Sequence, residues 1–308
     1  MLRGRAGREC GEGCSGLIDG VRVTDAHQHF WDPTSGGYTW LEPNQHLINR
    51  SFGVGDVEPL AAAVGVDDVI LVQSDATVAD TEAMLGIAES WHRALGVVAW
   101  APLHDERTLI PLLERYTSEA RIVGIRHTIH QDPDPEWLLR REVGVGLAQL
   151  AARGLPFDVV AVSPRHLLQA TDVAAAHPDL TLIIDHLGKP DIRGGIWQPW
   201  ADAIASVARY PNVFAKISGL DTAAGPDRNR SDAIRPYVHH ALECFGAGRL
   251  MVGSDWPVSR LALGYASWWE TVAELVSALS VDEREAVYGL TARSVYGLQP
   301  DDSIANAE

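Results

Sequence analysis

The chain has 308 residues, with 25 Lys+Arg against 41 Asp+Glu and a formal charge of −16. Hydrophobic residues make up 46% and charged residues 21%, a globular balance that excludes a disordered or fibrous chain. The acidic surplus, with no Lys/Arg block to offset it, excludes nucleic acid as a partner, and no run of ~20 apolar residues is present to span a membrane.

Residues 1–20 are a Gly-rich leader carrying Cys10 and Cys14, with no apolar run, and are expected to be flexible. With Cys244 the cysteines number three, too few for a disulfide framework, which suits a reduced, cytoplasmic protein. From Val21 onward a pattern repeats: a short apolar run, a polar turn, then a longer helical stretch. The apolar runs cover 21–26, 66–73, 95–101, 122–127, 155–162, 180–186, 212–218 and 250–255. Most are unbroken Val, Ile, Leu and Ala, as strands covered on both faces require.

Helix starts are marked between them. Asp134-Pro135 and Ser163-Pro164 each place a capping side chain before a proline. Asp80 is expected to open a helix over 81–95, where Met84, Ile87, Ala88 and Trp91 share a face. Gly154 and Gly248 stand where a helix ends in a left-handed residue. Two further helices, over 267–279 and 282–296, follow the eighth run. Eight strand–helix units in order, with no Gly-x-Gly-x-x-Gly after the first strand, predict an α/β fold. It is a single (β/α)8 barrel over 21–298 with extra C-terminal helices, leaving 299–308 as a tail.

In such a barrel the chemistry sits at the C-terminal ends of the strands. The first run ends Asp25-Ala26-His27-Gln28-His29, so His27 and His29, two apart, share a face. The fourth ends Arg126-His127, the sixth Asp185-His186, the seventh Lys216-Ile217-Ser218 and the eighth Gly253-Ser254-Asp255-Trp256-Pro257. Two or three imidazoles with a carboxylate (His27, His29, His186 and Asp255) can hold one zinc-like ion and leave a place for water. Without an ion, Asp255 can take a proton from water while Arg126, Lys216 or His186 stabilises the oxyanion. His127 must face away from Arg126 and is either a substrate contact or a packing residue. Trp31, Tyr38 and Trp40, in the long segment after the first strand, are candidates to stack on a sugar ring. Trp256 is expected to shape the pocket or brace Asp255.

At these positions the sequence resembles the amidohydrolase superfamily, and within it the subgroup of sugar-acid lactonases and 2-pyrone-4,6-dicarboxylate lactonase. The matching segments are Asp25 to Pro33, Gly124 to His127, Ile184 to Pro190, Lys216 to Leu220 and Arg249 to Pro257. The resemblance implies hydrolysis of a small-molecule lactone by water, with Asp255 as general base, His27, His29 and His186 around it, and Arg126 gripping the carbonyl. Metal-rich members carry a carboxylated lysine on the fourth strand and a histidine on the fifth. Here those strands offer Arg126-His127 and Phe157-Asp158-Val159, which leaves one ion or none. With Arg126 as a sparse carboxylate clamp, an aldonolactone fits better than a dicarboxylate. A metal-dependent decarboxylase, a lactone isomerase and a non-enzymic sugar-binding barrel are the rival readings. The sequence carries no signal for oligomeric state.

Overall fold

All eight apolar runs form strands in the computed structural model, which describes residues 20–225 and 230–298. They are β1 (Val23–Gln28), β2 (Val66–Val72), β3 (Ala94–Trp100), β4 (Ile122–His127), β5 (Phe157–Val159), β6 (Leu182–Ile184), β7 (Val213–Ile217) and β8 (Leu250–Val252). They pair in chain order and in parallel. The cylinder closes where β8 meets β1. His29 N–H donates to Trp256 O (2.7 Å) and Asp255 N–H to His27 O (2.8 Å).

Helices α1 (Val54–Val64), α2 (Val78–Ser90), α3 (Glu106–Ser118), α4 (Arg141–Ala151), α5 (Pro164–Ala176), α6 (Trp200–Ala208), α7 (Leu220–Ala224), α8 (Arg230–Phe245) and α9 (Tyr265–Leu275) follow the strands. Their apolar faces and the outward strand residues form one buried layer, which includes Leu71, Val97, Phe157, Ile184 and Val252. A second, smaller cluster fills the cylinder with Ala26, Ile70, Val72, Val98, Ile183 and Met251. The strands are apolar on both faces because each face has its own core. No helix among the described residues is long and apolar enough to cross a membrane.

Several expected boundaries move. Ser163 caps α5 as expected, accepting from His166 N–H with Pro164 in the first turn. Asp134 instead caps a turn, accepting from Glu136 N–H, and α4 starts only at Arg141. Thr77, not Asp80, caps α2. Asp80 is buried and accepts from Ser74 N–H and Tyr38 O–H, which needed a carboxylate for tertiary reasons that no local pattern shows. Gly154 is left-handed as expected (φ 65°), but at the end of α8 that role falls to Gly246 (φ 72°), not Gly248. The leader (residues 1–19) and the tail (299–308) lie outside the described residues.

The C-terminal segment runs through α10 (Val281–Glu285), a widened π turn at Ala286–Leu290 and α11 (Thr291–Val295). It covers the end of the cylinder where strands begin: Arg293 donates to Thr24 Oγ1 (3.2 Å) and pairs with Asp68. Tyr296, just beyond α11, turns inward and joins the interior cluster. Gly124 makes room for it, since a Cβ there would come within 3.3 Å of the Tyr296 ring.

Candidate active site

The polar floor begins with an irregularity in β1. Ala26 packs in the interior cluster, yet His27, its neighbour, also reaches inward to Lys216 and Arg126. Regular alternation forbids this, and the register with β2 shifts between Asp25 and Gln28. His29 lies beside His27, their Nε2 atoms 3.1 Å apart. His29 Nδ1 is 2.7 Å from Val72 O, so its ring proton is committed there and Nε2 presents a lone pair.

Beneath and beside His27 lies a charged layer. Arg126 Nη1 is 3.0 Å from Asp185 Oδ2 and 3.1 Å from His27 Nε2, and Nη2 donates to Gln73 O (2.8 Å). Lys216 Nζ donates to Asp158 Oδ2 (2.6 Å) and lies 3.2 Å from both His27 Nδ1 and Asp185 Oδ1. Burial holds His27 well below the usual imidazole range, the Asp185 carboxylate opposing and the Lys216 ammonium reinforcing it, so the ring is neutral near pH 7. Burial raises Asp158 to about 6 against the pull of Lys216. Asp185 goes the other way: burial is outweighed by Lys216, His27 and Arg126, which hold it ionised.

His186 and Asp255 reach the floor through left-handed backbone, at φ 55° and 53°. Leu187 and Lys189 share that conformation, at φ 51° each. Four non-glycine residues in a region costing of order 1–3 kcal/mol apiece mark a site whose geometry outranks local ease. Gly219, also left-handed (φ 57°), seals the group: a Cβ there would lie 2.8 Å from both Asp255 Oδ2 and His186 Nδ1.

Asp255 Oδ1 stands 3.5 Å from His29 Nε2 and 3.8 Å from His27 Nε2. The His186 ring lies tilted at 57° against His27 with ring centroids 4.6 Å apart, and its Nδ1 meets Ser218 Oγ at 2.8 Å. Burial pushes Asp255 up, but the surrounding His186 and His27 rings and the Lys189 ammonium outweigh it. The carboxyl stays below its usual range and is ionised at neutral pH. Burial, opposed by Asp255, lowers His186 to about 4.

These groups open into a cavity of about 200 Å³, in scale with one small ring. Its floor is His29, Arg126, His186 and Asp255. One wall carries Trp31 and Trp40, set edge to face at 5.0 Å, and another carries Val160, Val162 and Val258. Ser74, Thr128, His130, Gln131 and Lys189 supply the remaining polar atoms. None of these five was a candidate in the sequence reading, although Lys189 sits in the segment Asp185-His186-Leu187-Gly188-Lys189-Pro190.

Three expected substrate contacts turn away from the cavity. Tyr38 donates to Asp80 (3.0 Å) and latches the loop whose Trp40 Nε1–H donates to Ser74 O (2.8 Å). Trp256 is wholly buried between Phe30 and Phe52 at the β8–β1 seam. His127 faces outward, stacked on Trp137 at 4.0 Å, and accepts from Trp100 Nε1–H. Lys216 is also off the cavity, fully buried one layer below it.

The His127 correction has a pH test. Burial lowers its folded value to about 4, against 6.5 for the free side chain. Below pH 6.5 the unfolded chain therefore binds a proton that the folded one refuses, and His127 costs stability as pH falls. His127→Gln should be less stable than the parent at pH 7.5, with the gap narrowing at pH 5, as measured by urea unfolding. A gap that widens would refute the assignment.

The donor chemistry fits one divalent ion of the zinc type. His27, His186 and Asp255 each offer a ligand atom, all within 4.8 Å of one another. The His29 lone pair and Asp255 Oδ1 face the same space, an arrangement of acceptors that calls for a positive charge between them. Among the described residues a second ion finds no such set, because β4 presents the Arg126 guanidinium and the Asp158 oxygens are taken by Lys216 and Tyr296.

The amidohydrolase family model matches residues 24–298. An L-fucono-1,5-lactonase of Burkholderia ambifaria is 37% identical over 280 residues, 88% of this chain and 94% of that one. The L-fucono-1,5-lactonase of Burkholderia multivorans is 33% identical over 298 residues, 92% and 99% of the two chains. Among solved structures, an amidohydrolase from Burkholderia multivorans with bound zinc is similar at a TM-score of 0.84 and 31% identity, covering 91% of this chain and 100% of that chain.

Proposed function

Because the chain belongs to the amidohydrolase family, we propose that it opens a sugar-acid lactone, a cyclic ester of the L-fucono-1,5-lactone kind, to the free hydroxy acid. One observation carries the reading: an ionised Asp255 meets His29 and His186 on the floor of a cavity sized for one ring, with His27 directly behind them. The Trp31–Trp40 wall suits the C–H face of a sugar. Val160, Val162 and Val258 suit a deoxy-sugar methyl group, and the cations Arg126 and Lys189 face the carbonyl side. Absence of a disulfide framework fits a cytoplasmic setting.

Asp255 enters the reaction ionised and takes a proton from water as the new O–C bond forms, when that water is far more acidic than in bulk. The carbonyl oxygen becomes an oxyanion facing Arg126 and Lys189, the cations that line the cavity. Collapse breaks the bond from the acyl carbon to the ring oxygen, and that oxygen takes the proton held on Asp255. The product is the hydroxy acid, whose carboxyl ionises to solvent. A lactone is an activated ester, so this equipment suffices where an amide would demand more. If an ion is held by His27, His186 and Asp255, it supplies Lewis acidity and a more acidic water.

The test is a pH-stat screen of aldonolactones, with and without chelator. Acid release from 1,5-lactones, fastest for 6-deoxy sugars, is the expected result. No acid release from any lactone, together with carbon dioxide release from an aromatic acid, would replace this reading by decarboxylation.

A further inference from the structure

The Trp31–Trp40 wall is anchored by a carboxylate, Asp80, that does not itself line the cavity. Trp40 comes from the long segment between β1 and α1, where residues 32–37 lie exposed or half-buried. Trp40 Nε1–H donates to Ser74 O (2.8 Å). Two residues earlier, Tyr38 buries its ring and donates from its hydroxyl to Asp80 Oδ1 (3.0 Å). Tyr38 does so from left-handed backbone, at φ 52°, a region that a non-glycine residue keeps only when its surroundings impose it.

Asp80 is 3% exposed and serves both sides of this contact. Its Oδ2 accepts from Ser74 N–H (2.9 Å), and its Oδ1 lies 2.8 Å from Ser74 Oγ. Ser74 Oγ is also 2.8 Å from the carbonyl oxygen of Phe30, the residue after His29. Asp80 stands in the first turn of α2, with its own N–H donating to the Thr77 cap (3.2 Å), so the hub belongs to a helix and not to the loop it holds. One carboxylate thereby ties the residue whose carbonyl receives Trp40 to the tyrosine two positions before Trp40. An apolar side chain in place of Asp80 would fill the same space, but it would leave Ser74 N–H and the Tyr38 hydroxyl without a partner. Trp40 and Ser74 both line the cavity, and Tyr38 and Asp80 do not.

We propose that Tyr38 and Asp80 are positioning residues for substrate binding: their hydrogen bond holds Trp40 edge to face with Trp31 and so sets the wall against which a sugar ring lies. The purpose of that wall rests on the lactone-opening reading above, whereas the dependence of Trp40 on Tyr38 does not. Because the pair acts on the wall and not on the floor, its loss should cost affinity and spare the chemical step.

The experiment uses the full chain labelled with 5-fluorotryptophan and compares the parent with Tyr38→Phe, which keeps the buried ring and removes only the hydroxyl. Trp40→Phe identifies the Trp40 line. That ¹⁹F resonance should shift or broaden in Tyr38→Phe, while the lines of the other tryptophans, Trp31 aside, stay in place. With L-fucono-1,5-lactone as the probe, KM should rise about fivefold, the scale of one aromatic contact, and kcat should stay within about twofold. Asp80→Asn should give the same shift and the same split, since one amide cannot accept on both sides. In a Trp40→Ala background, Tyr38→Phe should leave KM where it is, because the side chain it acts through is gone. Losses that add in the double variant, a fall in kcat at unchanged KM, or an unmoved Trp40 line overturn the inference. A parent that opens no lactone while its Trp40 line still depends on Tyr38 sinks the functional reading and leaves the positioning of Trp40 standing.

Discussion

Asp255→Asn is expected to lower turnover at least ~10²-fold while leaving the KM for the lactone nearly unchanged, since removing a general base acts on the chemical step. Asparagine keeps the shape, so the backbone hydrogen bond from residue 255 to His27 O at the barrel seam should survive. The side chain then carries an amide that can accept no proton from water. Steady-state kinetics checks this, and a variant with near-parental turnover would move the base elsewhere. If an ion is present, the same substitution also weakens its hold, so metal content measured on parent and variant separates the two losses.

Lys216→Met should destabilise the fold by about 3–5 kcal/mol, the usual cost of stranding a buried charge. Asp158 and Asp185 would lose the ammonium that lies 2.6 Å and 3.2 Å from them. The loss has a sign with pH. Asp158 already sits near 6 with Lys216 beside it, and without it the carboxyl moves higher still. A folded value above the unfolded one means that stability falls as pH rises through that range. The variant should therefore be closest to the parent at pH 5.5 and fall behind it most at pH 8, as read from guanidinium midpoints. Equal midpoints at pH 8 would mean that Lys216 does not compensate these carboxylates.

The strands were legible because two apolar faces leave an unbroken run of Val, Ile and Leu that helices rarely imitate. Their ends were not. The 155–162, 180–186 and 250–255 runs keep only three ladder residues each, because beyond them the chain bends to aim Asp185, His186 and Asp255 at the axis. Composition cannot reveal where hydrogen bonding stops and left-handed backbone begins.

Site residues followed the same division. His27, His29, His186, Asp255 and Arg126 were readable as polar groups at strand ends, and they meet at one rim. The positions of His127, Tyr38 and Trp256 away from the cavity were not legible, because they depend on which way a side chain turns and what packs on it. Trp137, Asp80 and Phe52 are those partners, and they lie far from them in sequence. Lys216 was a candidate to stabilise the oxyanion, but it lies below the cavity, and that depth is a tertiary fact. Tyr296 had no signal at all. It sits in a helical pattern near the end of the chain, and nothing local says that it turns into the barrel.

The seam between β8 and β1 joins the first and last strands of the cylinder, and the reacting groups lie on either side of it: His27 and His29 on one, Asp255 on the other. During synthesis the imidazole pair leaves the ribosome early and waits without its carboxylate until the closing strand docks. Premature termination anywhere before that strand yields a chain with no hydrolytic competence, and contacts of such long sequence separation make the final docking intrinsically slow. Assembly of the reaction centre therefore waits on the arrival of the last strand of the cylinder.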